Sequence, residues 1–162
     1  MKMEEKIVEL LLQYKMHIAF AESCTGGLCA ARLVNVASAS KVLEISFVTY
    51  SEEAKMQYVN VAKNTLDKYG VVSTEVAAEM AEGVAKNACA DVGVGVTGLA
   101  GPGGGVNPDG EDIPVGTVCF GFYIKGKCEV SKVVFDGCSR NEVRQLACDY
   151  VYEKLIDKLT EV

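Results

Sequence analysis

The N-terminal segment carries its apolar side chains at helical spacing. Over residues 3 to 15 the apolar positions recur every three or four residues: Ile7, Leu10, Leu11 and Tyr14. Glutamates and lysines fill the positions between them. This spacing is typical of a helix that buries one face against a core. The pattern therefore predicts an amphipathic helix at the start of the chain.

Three short apolar runs further along the chain indicate strands. They cover residues 17 to 21, 45 to 50 and 92 to 97. Ser51 follows the second run and Gly98 follows the third, as is common at the ends of strands. The third run has glycine at every second position, so it offers few side chains for packing. We therefore expect three strands of one sheet.

Helical segments separate these strands. Residues 28 to 34 are helical in pattern. Ser51 and Ser73 can each cap the N-terminus of a helix, and the glutamates that follow them lie in the first helical turn, which the helix dipole favours. In this interpretation Tyr50 ends the second strand. Lys55 then lies about one turn into the helix that follows.

The last part of the chain predicts a hairpin and a long helix. Residues 115 to 124 and 128 to 135 form two strands that turn at Lys125-Gly126. Ser139 and Glu142 have the spacing of a capping box at the start of a helix. The residues expected to face the sheet are Val143, Leu146, Tyr150 and Leu155.

These elements predict a three-layer α/β/α sandwich with a mixed sheet of about five strands. Residues 98 to 114 hold all three prolines and many glycines, so we expect a binding loop without regular structure there. A chain of 162 residues that is 49% apolar can bury a full core. We therefore expect one domain over residues 1 to 162.

Charge and composition exclude several classes of function. The net charge of -6 argues against nucleic acid, and no apolar run is long enough to cross a membrane. The start of the chain is too charged for a signal peptide, which predicts a cytoplasmic protein. Seven irregularly spaced cysteines and one histidine argue against a metal site and favour free thiols. The composition is compatible with a homo-oligomer.

Ser23 is the strongest candidate nucleophile. It lies where a strand gives way to a helix, so its hydroxyl is expected at the carboxyl edge of the sheet. The N–H groups around Thr25, Gly26 and Gly27 would form an oxyanion hole, which suits acyl transfer. The alternative is that this segment is only a helix cap with a tight turn.

A serine nucleophile needs a base, and Lys55 is the candidate. The single histidine, His17, lies too far back along its strand to reach Ser23. A lysine whose pKa is lowered by burial can replace histidine, helped by a tyrosine that passes the proton, here Tyr50. The alternative assigns Lys55 to the solvated surface of its helix and Tyr50 to packing.

Arg140 and Arg144 stand four residues apart on the first turns of the last helix. At this spacing both can face one way and grip a phosphate or carboxylate. Surface salt bridges with Glu142 or Asp136 are the alternative.

Taken together, the motifs resemble the CinA C-terminal domain family, whose members include nicotinamide-nucleotide amidases. The resemblance rests on six segments in order: AESCTGGLCAARL at 21 to 33, VTYSEEAK at 48 to 55, GVVSTEVAAEMAEG at 70 to 83, GVTGLAGPGGG at 95 to 105, PVGTV at 114 to 118 and RNEVR at 140 to 144. It implies a three-layer α/β fold and deamidation of nicotinamide mononucleotide to nicotinate mononucleotide and ammonia. Neither metal nor organic cofactor is required.

The resemblance also assigns residues. Ser23 corresponds to the nucleophile, Tyr50 and Lys55 to its partners, and Arg144 to an arginine near the nucleotide phosphate. The glycine-rich loop corresponds to residues 97 to 105, which include the expected substrate-binding positions Thr97, Gly98, Gly101 and Gly103. The chain resembles the form of the family without a larger N-terminal domain.

Several positions depart from the family pattern: Glu52, Ile113, Cys138-Ser139 and an extension of the loop over 106 to 112. These departures leave a second hypothesis open, a nucleotide-binding sensor or partner module of the same fold without turnover. A third hypothesis, a redox-responsive scaffold, requires Cys24 to be an exposed and unusually acidic thiol.

Overall fold

The computed structural model describes all 162 residues and contains six α-helices and seven strands. The helices are α1 (Met3–Tyr14), α2 (Leu28–Leu33), α3 (Glu52–Val59), α4 (Lys63–Tyr69), α5 (Thr74–Ala88) and α6 (Arg140–Thr160). The strands are β1 (Ile18–Glu22), β2 (Leu43–Val48), β3 (Val92–Gly98), β4 (Gly105–Val106), β5 (Asp112–Ile113), β6 (Thr117–Ile124) and β7 (Lys127–Val134). None of the helices combines the length and apolar character that crossing a membrane requires.

Five strands form the central sheet in the order β2-β1-β3-β6-β7. β1 runs parallel to both β2 and β3, whereas β6 is antiparallel to β3 and β7 is antiparallel to β6. The predicted mixed sheet of about five strands is therefore confirmed. The parallel strands place the ends of β1, β2 and β3 at one edge of the sheet.

Helices cover both faces of the sheet. The larger apolar cluster lies between the sheet and helices α1, α2 and α6. The smaller cluster lies on the other face, where α3, α4 and α5 pack. The predicted α/β/α layering is confirmed, and α4, which the sequence pattern did not indicate, completes the second helical layer.

The alternation of valine and glycine in β3 separates these two faces. Val92, Val94 and Val96 are fully buried in the larger cluster. The intervening glycines face α5: a Cβ on Gly93 would lie 2.0 Å from the Ala81 carbonyl oxygen. No side chain fits there, so the backbone of α5 rests directly on the sheet. The glycines that leave β3 with few side chains thus allow a close contact between α5 and the sheet.

The segment from 98 to 114 was expected to lack regular structure, and this expectation is wrong. Gly105 pairs with Ile113 and Val106 with Asp112 in a small hairpin. The Asn107 side chain closes the turn by accepting hydrogen bonds from the N–H groups of Asp109 and Glu111, at 3.0 and 2.9 Å. Asn107 therefore forms an Asx turn, which the alternation of apolar and polar residues in strands does not predict.

Two local expectations also need correction. β2 ends at Val48, so Tyr50 lies beyond the strand, in the link to α3 that Ser51 caps through the Ala54 N–H. Leu146 does not face the sheet but is 38% exposed. The buried row of α6 runs instead at intervals of four residues: Val143, Ala147, Val151 and Leu155. The hairpin turn at Lys125-Gly126, the capping box of α6 and seven free cysteines are confirmed.

Candidate active site

Ser23 is the first residue after β1, at the carboxyl edge of the sheet. Its N–H donates to the Val96 carbonyl of the neighbouring strand β3 at 3.0 Å, so the residue is held as an extension of the sheet. The chain then turns sharply into α2, and only 8% of Ser23 is exposed. The hydroxyl is therefore held at a fixed position beside the ends of three strands.

Glu22 shapes the turn that follows, a role that the sequence pattern did not indicate. This glutamate is fully buried, and no cation pairs with it. Its carboxylate accepts hydrogen bonds from the N–H groups of Gly27, Cys29 and Ala30 at 3.1, 3.1 and 2.9 Å. The positive end of α2 stabilises the same charge. An acidic residue at the end of an apolar strand, directly before Ser23, was the available signal.

These bonds correct the expected oxyanion donors. The Gly27 N–H is taken by Glu22, and the Gly26 N–H donates to the Ser23 carbonyl at 2.9 Å. Neither group is free to bind a substrate. The N–H groups of Cys24 and Thr25 have no acceptor within the chain, but only Cys24 borders the cavity, so its N–H is the free donor of the turn beside Ser23. The Thr25 side chain is fully buried and does not face the cavity.

The Lys55 amine lies against the Ser23 hydroxyl. The Nζ to Oγ distance is 3.1 Å, and Nζ also donates to the Thr49 carbonyl at 2.7 Å. Lys55 is fully buried, although it belongs to a helix that is otherwise largely exposed. The alternative that placed Lys55 at the solvated surface is wrong.

Burial lowers the pKa of Lys55 to about 8. Removing an ammonium group from water costs free energy, so the neutral amine is favoured relative to an exposed lysine. The nearby Cys24 and Glu52 act in the opposite direction, raising the pKa, but burial outweighs them. A substantial fraction of the amine is thus neutral slightly above neutral pH, in contact with a serine hydroxyl.

Tyr50 lies near this pair but is not bonded to it. Its hydroxyl accepts a hydrogen bond from Arg140 Nη2 at 2.9 Å, and Arg140 Nη1 donates to the Gly101 carbonyl at 2.6 Å. Tyr50 is 61% exposed. Arg140 therefore joins the β2 to α3 link to the glycine-rich loop, and the contact between Lys55 and Ser23 is direct.

Arg144 supports the turn after Ser23. Its Nε donates to the Cys24 carbonyl at 3.0 Å and its Nη2 to the Thr25 carbonyl at 3.2 Å. A Cβ on Gly26 would lie 3.3 Å from Nη2, so glycine at this position leaves room for the guanidinium. The two arginines thus have different neighbours, and only Arg140 lines the cavity beside Ser23.

A cavity of about 220 Å³ opens beside Ser23. Its lining includes the four loop residues expected from the sequence, Thr97, Gly98, Gly101 and Gly103, together with Tyr50 and Cys24. Further lining residues were missed: Val71, Val72, Leu99 and Ala100. Arg140 is the only charged residue of the lining. The cavity is therefore suited to a small, partly polar group with an anion nearby.

A larger cavity of about 450 Å³ lies beyond Val72, which lines both. The β4–β5 hairpin and the first residues of α5 form its walls, with charged side chains from Glu75, Glu111, Asp112 and Lys132. Ile113 lines it as well. Acidic side chains outnumber the single lysine, so this neighbouring cavity does not favour a phosphate.

Cys24 does not fit the redox hypothesis. It is only 5% exposed, and burial raises the pKa of its thiol to about 11. A thiol of this kind is protonated and inert at neutral pH. Elsewhere, no group of three or more His, Cys, Asp or Glu side chains is placed to hold a metal ion.

The chain is similar to curated proteins over almost its whole length. A putative competence-damage inducible protein from Alkaliphilus oremlandii is 46% identical over 153 residues, which cover 94% of this chain and 36% of the relative. A CinA-like protein from Kosmotoga olearia is 45% identical over 158 residues, covering 95% of this chain and 37% of the relative. The chain thus spans little more than a third of the length of these relatives.

Solved structures share the fold. A CinA superfamily protein from Klebsiella pneumoniae superposes with a TM-score of 0.92 at 32% identity, over 99% of this chain and 97% of that one. One from Escherichia coli gives a TM-score of 0.89 at 36% identity, over 95% and 87%. The family profile of the CinA C-terminal domain matches residues 1–159. The chain therefore belongs to the CinA C-terminal domain family.

Proposed function

We propose that this chain is a nicotinamide-nucleotide amidohydrolase, which converts nicotinamide mononucleotide to nicotinate mononucleotide and ammonia. The observation that carries the proposal is the contact between Lys55 Nζ and Ser23 Oγ in a buried site. A buried amine beside a serine at a helix entrance suits acyl transfer better than a purely structural role.

Lys55 is the general base for Ser23. In its neutral form the amine keeps one N–H on the Thr49 carbonyl, which leaves its lone pair for the Ser23 hydroxyl proton. The lowered pKa makes this form accessible near neutral pH. The oxygen of Ser23 then attacks the carboxamide carbon, and a bond between Oγ and carbon forms.

The negative charge that develops on the carboxamide oxygen needs hydrogen-bond donors. The Cys24 N–H is free, borders the cavity and lies in the turn that Glu22 and Arg144 hold in place. Protonated Lys55 returns its proton to the amide nitrogen as the C–N bond breaks, and ammonia leaves. Water gives a proton to the neutral Lys55 as its oxygen attacks the acyl carbon, and Lys55 passes this proton to Ser23 Oγ as the bond between Oγ and carbon breaks.

The choice of substrate rests on two points. The cavity beside Ser23 has Arg140 as its one charged lining residue, and the N–H groups of this guanidinium that are not bonded to Gly101 or Tyr50 can bind a phosphate. The nicotinamide nucleotide itself is inferred from the resemblance of the six motifs to amidases of the family. In this proposal Arg140 rather than Arg144 contacts the phosphate, because only Arg140 lines the cavity beside Ser23.

Ammonia release from nicotinamide mononucleotide tests the proposal directly. Wild type is expected to release ammonia and form nicotinate mononucleotide, and Ser23→Ala is expected to abolish both. Ser40→Ala changes an exposed serine and serves as the matched control. Free nicotinamide, which lacks the phosphate, is expected to be a much poorer substrate.

The same experiment separates the enzyme from the alternative, a nucleotide-binding module without turnover. Such a module would bind nicotinamide mononucleotide in calorimetry but release no ammonia above the Ser23→Ala background. That result would refute the amidase proposal, provided that wild type is folded by circular dichroism.

A further inference from the structure

The two edge strands of the sheet differ in how they are protected against pairing. Open edges expose unpaired N–H and C=O groups, and natural proteins commonly place charged side chains there. β7 carries three exposed charges, Lys127, Glu129 and Lys132. β2 at the other edge carries only one charged side chain, that of Glu44. The β2 edge is therefore the less protected one.

The backbone of β2 has groups that point away from the sheet. The Thr49 N–H donates to the Glu22 carbonyl, and Phe47 lies opposite Ala21 in the same parallel ladder. Successive residues of a strand alternate in direction, so Ser46 and Val48 direct their N–H and C=O groups outward. No backbone hydrogen bond outside the ladders involves either residue.

Apolar side chains flank this open row on both faces. On the α3 side, Ile45 is 39% exposed, and the Phe47 ring stacks on Tyr58 with centroids 5.9 Å apart. On the α2 side, Val48 is 52% exposed and lies over Gly27. The edge thus combines unpaired backbone groups with apolar surface, as a strand-pairing interface does.

Charge at the two ends of β2 indicates what pairs with it. Lys41 lies two residues before the strand, whereas Glu52 and Glu53 open α3 just beyond its other end, and all three side chains are exposed. In an antiparallel pair of two copies, the basic end of one strand meets the acidic end of the other, and this happens twice by symmetry. We propose that this chain forms a homodimer through antiparallel pairing of β2 with β2 of a second copy.

The register follows from the outward groups and the charges. Pairing centred on Ser46 uses the outward N–H and C=O groups and places Glu44 opposite Val48. Pairing centred on Val48 would place Glu44 opposite Glu52, with like charges together.

Light scattering coupled to gel filtration, at micromolar concentration, tests the dimer. Wild type is expected at the dimer mass. Ile45→Lys introduces a charge into the interface and is expected at the monomer mass. Val130→Lys is the matched control, because Val130 is 48% exposed on the opposite edge strand, and it is expected to remain a dimer. Thermal melts check that both variants are folded.

A charge reversal tests the antiparallel arrangement. Lys41→Glu alone and Glu53→Lys alone are each expected to weaken the dimer by several-fold, and the double variant is expected to restore it. Glu53 is chosen because Glu52 influences Lys55. A monomeric wild type, or a dimer that Ile45→Lys leaves intact, would overturn the interface. A folded double variant without recovery would overturn the antiparallel pairing.

Discussion

Lys55 Nζ lies 3.1 Å from Ser23 Oγ, although 31 residues separate them in the chain. The two residues follow neighbouring parallel strands, β1 and β2, whose ends meet at the same edge of the sheet. The Thr49 carbonyl holds the amine on one side and the serine contacts it on the other. The arrangement of the strands in the sheet therefore brings the two residues into contact.

The pH dependence of catalysis should report the pKa of Lys55. Only the neutral amine accepts the Ser23 proton, so kcat/KM is expected to rise about tenfold per pH unit at low pH and to level off above about 8. Ammonia release measured from pH 6 to pH 9.5 gives the profile. A rate that is flat or falls across this range would contradict Lys55 as the base.

Lys55→Met is expected to abolish activity and to stabilise the protein at neutral pH. Burial lowers the pKa of Lys55 from 10.5 to about 8, which corresponds to about 3 kcal/mol. Below pH 8 the amine is protonated in both states, so the folded state bears this full cost. Losing the bond to Thr49 offsets about 1 kcal/mol, so a net gain of about 2 kcal/mol is expected at pH 7.

The sign of this effect depends on pH. Between pH 8 and 10.5 only the unfolded state still binds the proton, so wild-type stability rises with pH and the advantage of Lys55→Met disappears. Urea unfolding of both proteins at pH 7 and pH 10 measures the difference in their free energies of unfolding at each pH. Lys86→Met, at an exposed lysine, is the control and should change little. A Lys55→Met variant that is less stable at pH 7 would argue against a buried, strained amine.

Glu22→Gln is expected to weaken both the fold and the site. The carboxylate accepts three N–H bonds at the start of α2, and the amide retains only one acceptor oxygen. Hydrogen bonds to a charged group contribute roughly 1.5–3 kcal/mol each, so the free energy of unfolding should fall by at least about 2 kcal/mol. Amidase activity should fall too, because the turn that presents Ser23 loosens.

Denaturant unfolding and ammonia release measure the two effects of Glu22→Gln. Glu44→Gln changes an exposed glutamate and should alter neither. Equal stability of Glu22→Gln and wild type would show that the three N–H bonds contribute little to the turn.

Tyr50→Phe is expected to lower the rate far less than Lys55→Met. Ser23 contacts Lys55 directly, and the Tyr50 hydroxyl bonds Arg140 instead. Removing one hydrogen bond of this kind costs about 1 kcal/mol, or a factor of about five to ten in kcat/KM. Tyr58→Phe, on the exposed side of α3, is the control. Loss of activity equal to that of Lys55→Met would place Tyr50 on the proton path.

The sequence determined the layered fold and the candidate nucleophile. Periodicities of two and 3.6 residues separate strands from helices, and serine caps at 51, 73 and 139 mark three helix starts, all of which the structure contains. The position of Ser23 between a strand and a helix followed from the same local pattern. Local patterns succeed here because caps and periodicity act over only a few residues.

Contacts between distant segments decided the rest of the site. Burial of Lys55, the engagement of Arg144 with the turn and the bond between Arg140 and Tyr50 each join residues that no local pattern connects. The same holds for Glu22, whose carboxylate takes the N–H groups that Gly27 was expected to offer. The sequence alone determined which side chains were available, whereas the packing of α3 and α6 against the sheet edge decided which were buried, paired or left free, because burial and hydrogen-bond partners depend on neighbours distant in the chain.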